Sequence, residues 1–221
     1  MATAQELLEE IAAEVRVCTK CDLCKGTKNG VPGEGSPTAE VLFIGEGPGF
    51  HEDRQGKPFV GPAGQFLNEL LASIGLDRSS VFITNVVKHR PPDNRDPLPE
   101  EIKACSGYLD RQIAAINPKV IVTLGRYSMA RFFPDAKISR IHGQAKVIGG
   151  RVVLAMYHPA AALHQMALKQ TLIDDFTRAI PAALAEANRL ATAGKLASQQ
   201  PAQEQKSDDE DEAPPQQMSL F

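Results

Sequence analysis

Four short apolar runs limit what this chain can fold into. They are Val41-Leu42-Phe43-Ile44, Val81-Phe82-Ile83 continuing to Val87, Val120-Ile121-Val122-Thr123-Leu124, and Val152-Val153-Leu154. Apolar side chains at consecutive positions of a strand point to opposite faces, so such runs need cover on both sides. Between them lie stretches with helical spacing: Ala4 to Arg16, Ala63 to Ile74 closed by Gly75, Pro99 to Ile116, residues 126–133, and a last one near 168–190. Strands that alternate with helices imply a parallel sheet flanked by helices. The expected fold is α/β: a three-layer α/β/α arrangement around a central, mostly parallel four-stranded sheet. Val147 to Leu154, with Gly149-Gly150 at its centre, reads as a hairpin ending in the fourth run.

In open α/β sheets, ligands bind beyond the carboxyl ends of the strands. Three segments rich in chemistry follow these runs. The first is Gly45-Glu46-Gly47-Pro48-Gly49-Phe50-His51-Glu52-Asp53, leading to Gly56-Lys57-Pro58-Phe59-Val60-Gly61. Its glycines let the backbone approach a flat or anionic ligand and turn N–H groups toward it. The second runs from Asn85 to Arg95 and enters Pro91 to Pro97, a rigid loop that is neither helix nor inner strand. The third is Tyr157 to Leu163. Three such ends converging on one cleft are what a binding site requires.

The 221 residues suffice for one well-buried domain and a tail. No apolar run reaches the length that spans a bilayer, and the N-terminus lacks the apolar stretch of a signal peptide; a cytoplasmic protein without membrane contact is expected. The net charge of −3 hides a division, because 197–221 holds six acidic residues against Lys206 alone and leaves 1–196 at +2. From about Leu196 the composition turns to Gln, Ser, Pro, Asp and Glu, the signature of a disordered tail. The expected division is a domain over 1–196 and an acidic tail over 197–221.

Five motifs in order carry a resemblance: Gly45-Glu46-x-Pro48-Gly49-x-x-Glu52-Asp53; Gly56-x-Pro58-Phe59-Val60-Gly61; Thr84-Asn85-Val86-Val87-Lys88; Arg90-Pro91-Pro92-x-Asn94-Arg95-x-Pro97; and His158-Pro159-Ala160-Ala161-x-Leu163. Together, from about Cys18 to Phe176, they resemble the family 4 uracil-DNA glycosylases. The resemblance implies a DNA repair enzyme that flips uracil out of single- or double-stranded DNA and hydrolyses its N-glycosidic bond. The residues suit that chemistry. Phe59 is a stacking platform for the flipped base. Asn85 offers a donor and an acceptor for uracil's O4 and N3–H, a pattern cytosine reverses. His158 donates to O2, where negative charge gathers on the departing base. N–H groups near Gly47 hold a uracil carbonyl. Glu52 is favoured for orienting the water and Glu46 for pocket contact, though the opposite assignment stays open. Arg90 and Arg95 are candidates for phosphates, and Leu163 for a wedge in the base stack. No lysine in these motifs stands as a Schiff-base nucleophile, which implies a monofunctional enzyme without lyase action.

The resemblance also implies a 4Fe-4S cluster held by four cysteines. Cys18, Cys21 and Cys105 match; the remaining position holds His89, and histidine can ligate iron. Cys18, Cys21, His89 and Cys105 are therefore the expected ligands. Cys24 is the rival to His89, since Cys18-x-x-Cys21-x-x-Cys24 is a ferredoxin-like run, and zinc is the rival metal. The tail ends in Gln217-Met218-Ser219-Leu220-Phe221, which resembles the peptide by which bacterial DNA-processing proteins bind the sliding clamp; Gln217, Leu220 and Phe221 are its anchors. A monomer is expected. The competing readings are a UdgX-like protein that crosslinks to uracil-DNA and a non-catalytic iron–sulfur DNA-binding module. The 90–98 loop has no histidine after His89, which argues against the first; the complete pocket set argues against the second.

Overall fold

The computed structural model describes residues 2–163 and 165–199. In chain order its elements are α1 (Ala4–Arg16), β1 (Glu34–Gly35), β2 (Val41–Gly45), α2 (Phe50–Gln55), α3 (Pro62–Ser73), β3 (Phe82–Asn85), α4 (Pro99–Ile116), β4 (Val120–Leu124), α5 (Arg126–Ala130), α6 (Ile138–Ile141), β5 (Gln144–Ile148), β6 (Arg151–Met156), α7 (Pro159–Ala162) and α8 (Met166–Gln199).

The sheet has six strands in the order β1-β3-β2-β4-β6-β5. The four expected strands form its parallel centre, and two antiparallel edges extend it. Four strands was thus an undercount. Edge strand β1 is two residues long, too short for any periodicity, and β5 is mostly exposed, so its sequence carries no apolar run. The β5–β6 hairpin turns on Gly149 and Gly150, at φ 56° and 77°, a turn that needs positive φ twice.

Alternate residues of each central strand enter different cores. Val41, Phe43, Ile83, Val122 and Leu154 pack under α3 and α8, whereas Leu42, Ile44, Phe82, Ile121 and Val153 pack under α1 and α4. This two-sided burial is what makes the runs continuously apolar. The last helix begins near its expected start but runs to Gln199, into the stretch read as tail. The rest of that tail, with Gln217, Leu220 and Phe221, lies outside the described residues. No helix among the described residues is long and apolar enough to cross a membrane.

Helix α2 sits inside the glycine-rich segment that was expected only as a turn. Glu52, at its third position, reaches back to accept the Gly49 N–H, and Gly56 ends it at φ 69°.

Candidate active site

The carboxyl ends of the parallel strands open on a pocket of about 370 Å³. All three segments contribute to its wall: Glu46, Gly47 and Phe59 from the first, Asn85 and Pro91 from the second, His158 from the third.

Asn85 ends β3, in register with Gly45 of β2. It is 2 % exposed, and its Oδ1 has no hydrogen-bond partner among the described residues. Such an atom costs about 1–3 kcal/mol unless a ligand meets it. The Phe59 ring lies beside the amide. A Cβ on Gly45 would run into both the Asn85 Oδ1 and the edge of that ring, 2.6 Å from its Cζ, so only glycine lets amide and ring converge. Phe59 is buried at φ 49°, a left-handed conformation that a bulky residue holds only when its surroundings impose it. Gly64 of α3 makes room for it, because a Cβ there would overlap the Phe59 backbone.

Behind Asn85 lies Lys88, whose part the sequence reading missed. It is fully buried, and its Nζ donates to Thr84 Oγ1 (2.7 Å), the Asn85 carbonyl (2.8 Å) and Gln112 Oε1 (2.8 Å). Gln112 donates in turn to the Pro32 carbonyl at 2.6 Å. Burial pulls the Lys88 pKa down to about 7. The amine thus fastens the end of β3 to α4 and to the chain entering β1. The available signal was a polar residue in an apolar place: Lys88 closes an apolar run, and Gln112 lies on the buried face of α4. Lys88→Met keeps the bulk but strips three buried acceptors of their donor. We expect a loss of about 2–4 kcal/mol, read as a melting temperature lower by roughly 5–15 °C; an unchanged melting curve would refute this role.

His158 follows β6 and caps α7. Its Nδ1 accepts the Ala160 N–H at 3.1 Å, so the neutral ring carries its proton on Nε2. Burial draws its pKa down to about 4, against a smaller opposing effect of Glu52. The imidazole stacks on Phe59, with centroids 5.5 Å apart and planes at 25°. Gly125, at φ 90°, makes room behind it: a Cβ there would stand 3.1 Å from the His158 Cβ.

The two carboxylates occupy different situations. Glu52 accepts three backbone N–H groups, from Gly49 (3.1 Å), Val60 (2.8 Å) and Gly61 (2.9 Å), and so ties the 45–61 segment to itself. Glu46 has no hydrogen-bond partner for its side chain among the described residues. Burial raises its pKa, Asp96 adds to the rise, and Arg126 opposes it.

At the rim, Arg90 Nε donates to Asn94 Oδ1 at 2.7 Å. Arg95 instead makes a two-pronged ion pair with Glu101 (2.9 and 2.7 Å), which fastens the proline loop to α4. Leu163, just past α7, is 42 % exposed.

Of the expected metal ligands, only His89 lies within the second segment, between Asn85 and Pro91. Cys105 is buried in one core, with Cys18 and Cys21 packed against it. Burial pushes the Cys105 thiol pKa up; the Lys88 backbone N–H and amine oppose the rise, and the nearby Cys21 and Cys18 add to it. Burial likewise raises the Cys21 thiol pKa; the Leu23 N–H opposes this, and Cys18, Glu101 and Cys24 add smaller rises. His89 is buried, with a pKa held below its usual range, and Gly30 separates it from the end of α1: a Cβ on Gly30 would stand 3.1 Å from His89 Nε2 and collide with the Val15 carbonyl. Among the described residues, no three such donors are close enough to share a single ion.

The chain matches the Uracil DNA glycosylase superfamily over residues 32–180, and belongs to it. It is 49 % identical over 181 residues to a type-4 uracil-DNA glycosylase of Sulfurisphaera tokodaii, covering 77 % of this chain and 82 % of that one. It is 48 % identical over 182 residues to the type-4 enzyme of Archaeoglobus fulgidus, covering 78 % and 92 %. To the bacterial type-4 enzyme of Thermotoga maritima it is 43 % identical over 185 residues, covering 81 % and 96 %. Within the superfamily, these likenesses put the chain in the type-4 family.

Proposed function

We propose that this chain is a DNA repair hydrolase, a monofunctional uracil-DNA glycosylase. The observation that carries the reading is the unpartnered Asn85 amide, locked beside Phe59 on the wall of a pocket that also holds a neutral histidine. The flipped uracil stacks on Phe59, takes the Asn85 amide on its O4 and N3–H edge, and meets the N–H groups near Gly47. The C1′–N1 bond breaks with its electron pair leaving on the base. His158 Nε2–H donates to O2, where that charge collects. Water adds to the oxocarbenium-like C1′ and passes a proton to a carboxylate. We assign that task to Glu46, whose oxygens have no partner among the described residues and whose affinity for a proton is raised; Glu52, occupied by three backbone donors, braces the loop. The Lys88 amine is committed to three acceptors, which fits hydrolysis without a Schiff base. Arg90 contacts phosphate and Leu163 wedges into the stack; Arg95 serves as a loop anchor.

The test is a labelled uracil-containing oligonucleotide, treated with alkali in one half and run unheated under denaturing conditions in the other. Alkali-dependent cleavage with no shifted protein band is expected. A shifted band would mean covalent capture, and neither signal would leave a DNA-binding module.

We assign a 4Fe-4S cluster to Cys18, Cys21, His89 and Cys105, where it would staple the N-terminal segment to the loop before α4. The shared packing of the three thiols supports this, and burial keeps His89 in the neutral form a ligand needs. Iron and sulfide content should fall in His89→Ala and hold in Cys24→Ala; the reverse would transfer the fourth position to Cys24. We further propose that the tail binds the sliding clamp of the replication machinery. Deleting 217–221 should abolish clamp binding and leave cleavage of a short oligonucleotide unchanged; undiminished binding would sink the idea.

A further inference from the structure

Beside the pocket stands an aromatic group that the reaction does not use. Phe50 follows Gly49 on the pocket wall, yet its own side chain is 47 % exposed. Two guanidinium groups lie over its ring, Arg90 at 5.3 Å and Arg54 at 5.4 Å from the centroid. The His51 ring meets it edge-on, at 5.6 Å and 86°. Arg90 is held by Asn94, which lines the pocket, so this group is fixed to the rim. Neither Arg54 nor Arg90 forms an ion pair among the described residues, whereas Arg78, Arg95 and Arg126 each do.

An isolated exposed phenylalanine needs no explanation. One that carries two arginines without ion pairs among the described residues, next to a pocket, has the composition of a site for single-stranded nucleic acid: a π-face for a base and positive charge for the phosphates around it. We propose that Phe50, with Arg54 and Arg90, forms a second nucleotide subsite, which stacks the base neighbouring the flipped uracil on the same strand. This rests on the uracil reading of the pocket. Leu163 and Phe50 then serve different purposes. Leu163 fills the space the uracil leaves, while Phe50 receives a neighbour that has lost its stacking partner.

The test uses a single-stranded oligonucleotide that carries 2′-fluoro-deoxyuridine, whose glycosidic bond resists hydrolysis, with fluorescent 2-aminopurine on one side or the other. On binding the parent protein, the 2-aminopurine on one side should be quenched. Phe50→Ala should bind about tenfold more weakly and lose the quenching. Phe50→Trp should restore both. Phe50→Leu, which keeps the apolar bulk without the π-face, should behave as the alanine variant does. If Phe50→Leu binds and quenches like the parent, or if neither 2-aminopurine responds, Phe50 is only a shelf for its arginines and the inference falls. The uracil reading is scored separately, by whether the parent protein cleaves the unmodified uracil oligonucleotide.

Discussion

Replacing Asn85 by leucine is expected to remove uracil excision and to leave the folded protein at least as stable as before. The two effects share one cause. The Asn85 amide is buried with an oxygen that no group among the described residues satisfies, so the fold bears its cost without a compensating bond. Leucine has similar bulk and no polar atom, so the substitution should relieve about 1 kcal/mol. In the complex the balance reverses. Uracil's O4 and N3–H would enter a pocket with no partner for either, and two buried hydrogen bonds would be exchanged for two unpaired groups. A fall of about a thousandfold in kcat/KM, ~4 kcal/mol, is expected. Melting curves and single-turnover cleavage on the same samples check both halves. A destabilised leucine variant would show that the amide is held by the fold for the fold's sake, and residual activity near the parent's would remove Asn85 from base recognition.

The same residue shows where sequence reasoning carries and where it stops. Continuous apolar runs gave away the parallel centre of the sheet, because only strands covered on both faces can afford them. The edges were less legible: of β5 only Val147-Ile148, the first arm of the Gly149-Gly150 hairpin, could be read because the rest is exposed, and β1 is two residues long. At the site, the glycine, asparagine and histidine motifs pointed to three strand ends, and Phe59, Asn85 and His158 from them line one pocket. Contacts between residues distant in the chain were not legible. Nothing in Gly56-Lys57-Pro58-Phe59 says that Phe59 takes a positive φ or that its backbone packs where only Gly64 leaves room. The apolar run around Lys88 hints that it is buried, but nothing local names its partner Gln112, 24 positions away. The two carboxylates looked alike in sequence. They differ because the loop folds back so that Val60 and Gly61 present their N–H groups to Glu52 and leave Glu46 open.

His158→Ala should lower kcat about 10²- to 10³-fold, the usual cost of one preorganised donor to a developing anion, with a much smaller change in KM. Its pH behaviour separates this role from that of a titrating acid. The His158 pKa lies near 4, so from about pH 5 upward the ring is neutral and its Nε2–H is a constant feature of the site. The acid limb of kcat/KM should instead follow Glu46, whose pKa is raised above 4.5 by burial. The limb should therefore persist, at the same midpoint, in His158→Ala. If the limb disappears with the histidine, His158 titrates in catalysis and the neutral-donor role is wrong. Stability gives a second, independent reading. The folded pKa is depressed from 6.5, so the unfolded chain takes up a proton at His158 while the native protein does not. Stability from this group is complete above pH 6.5 and is lost as the pH falls toward 4. Denaturant midpoints of the parent should decline across that window more steeply than those of His158→Ala. Equal slopes would mean that the ring is not buried as a neutral base, and the tautomer set by the Ala160 N–H would lose its significance for the departing uracil.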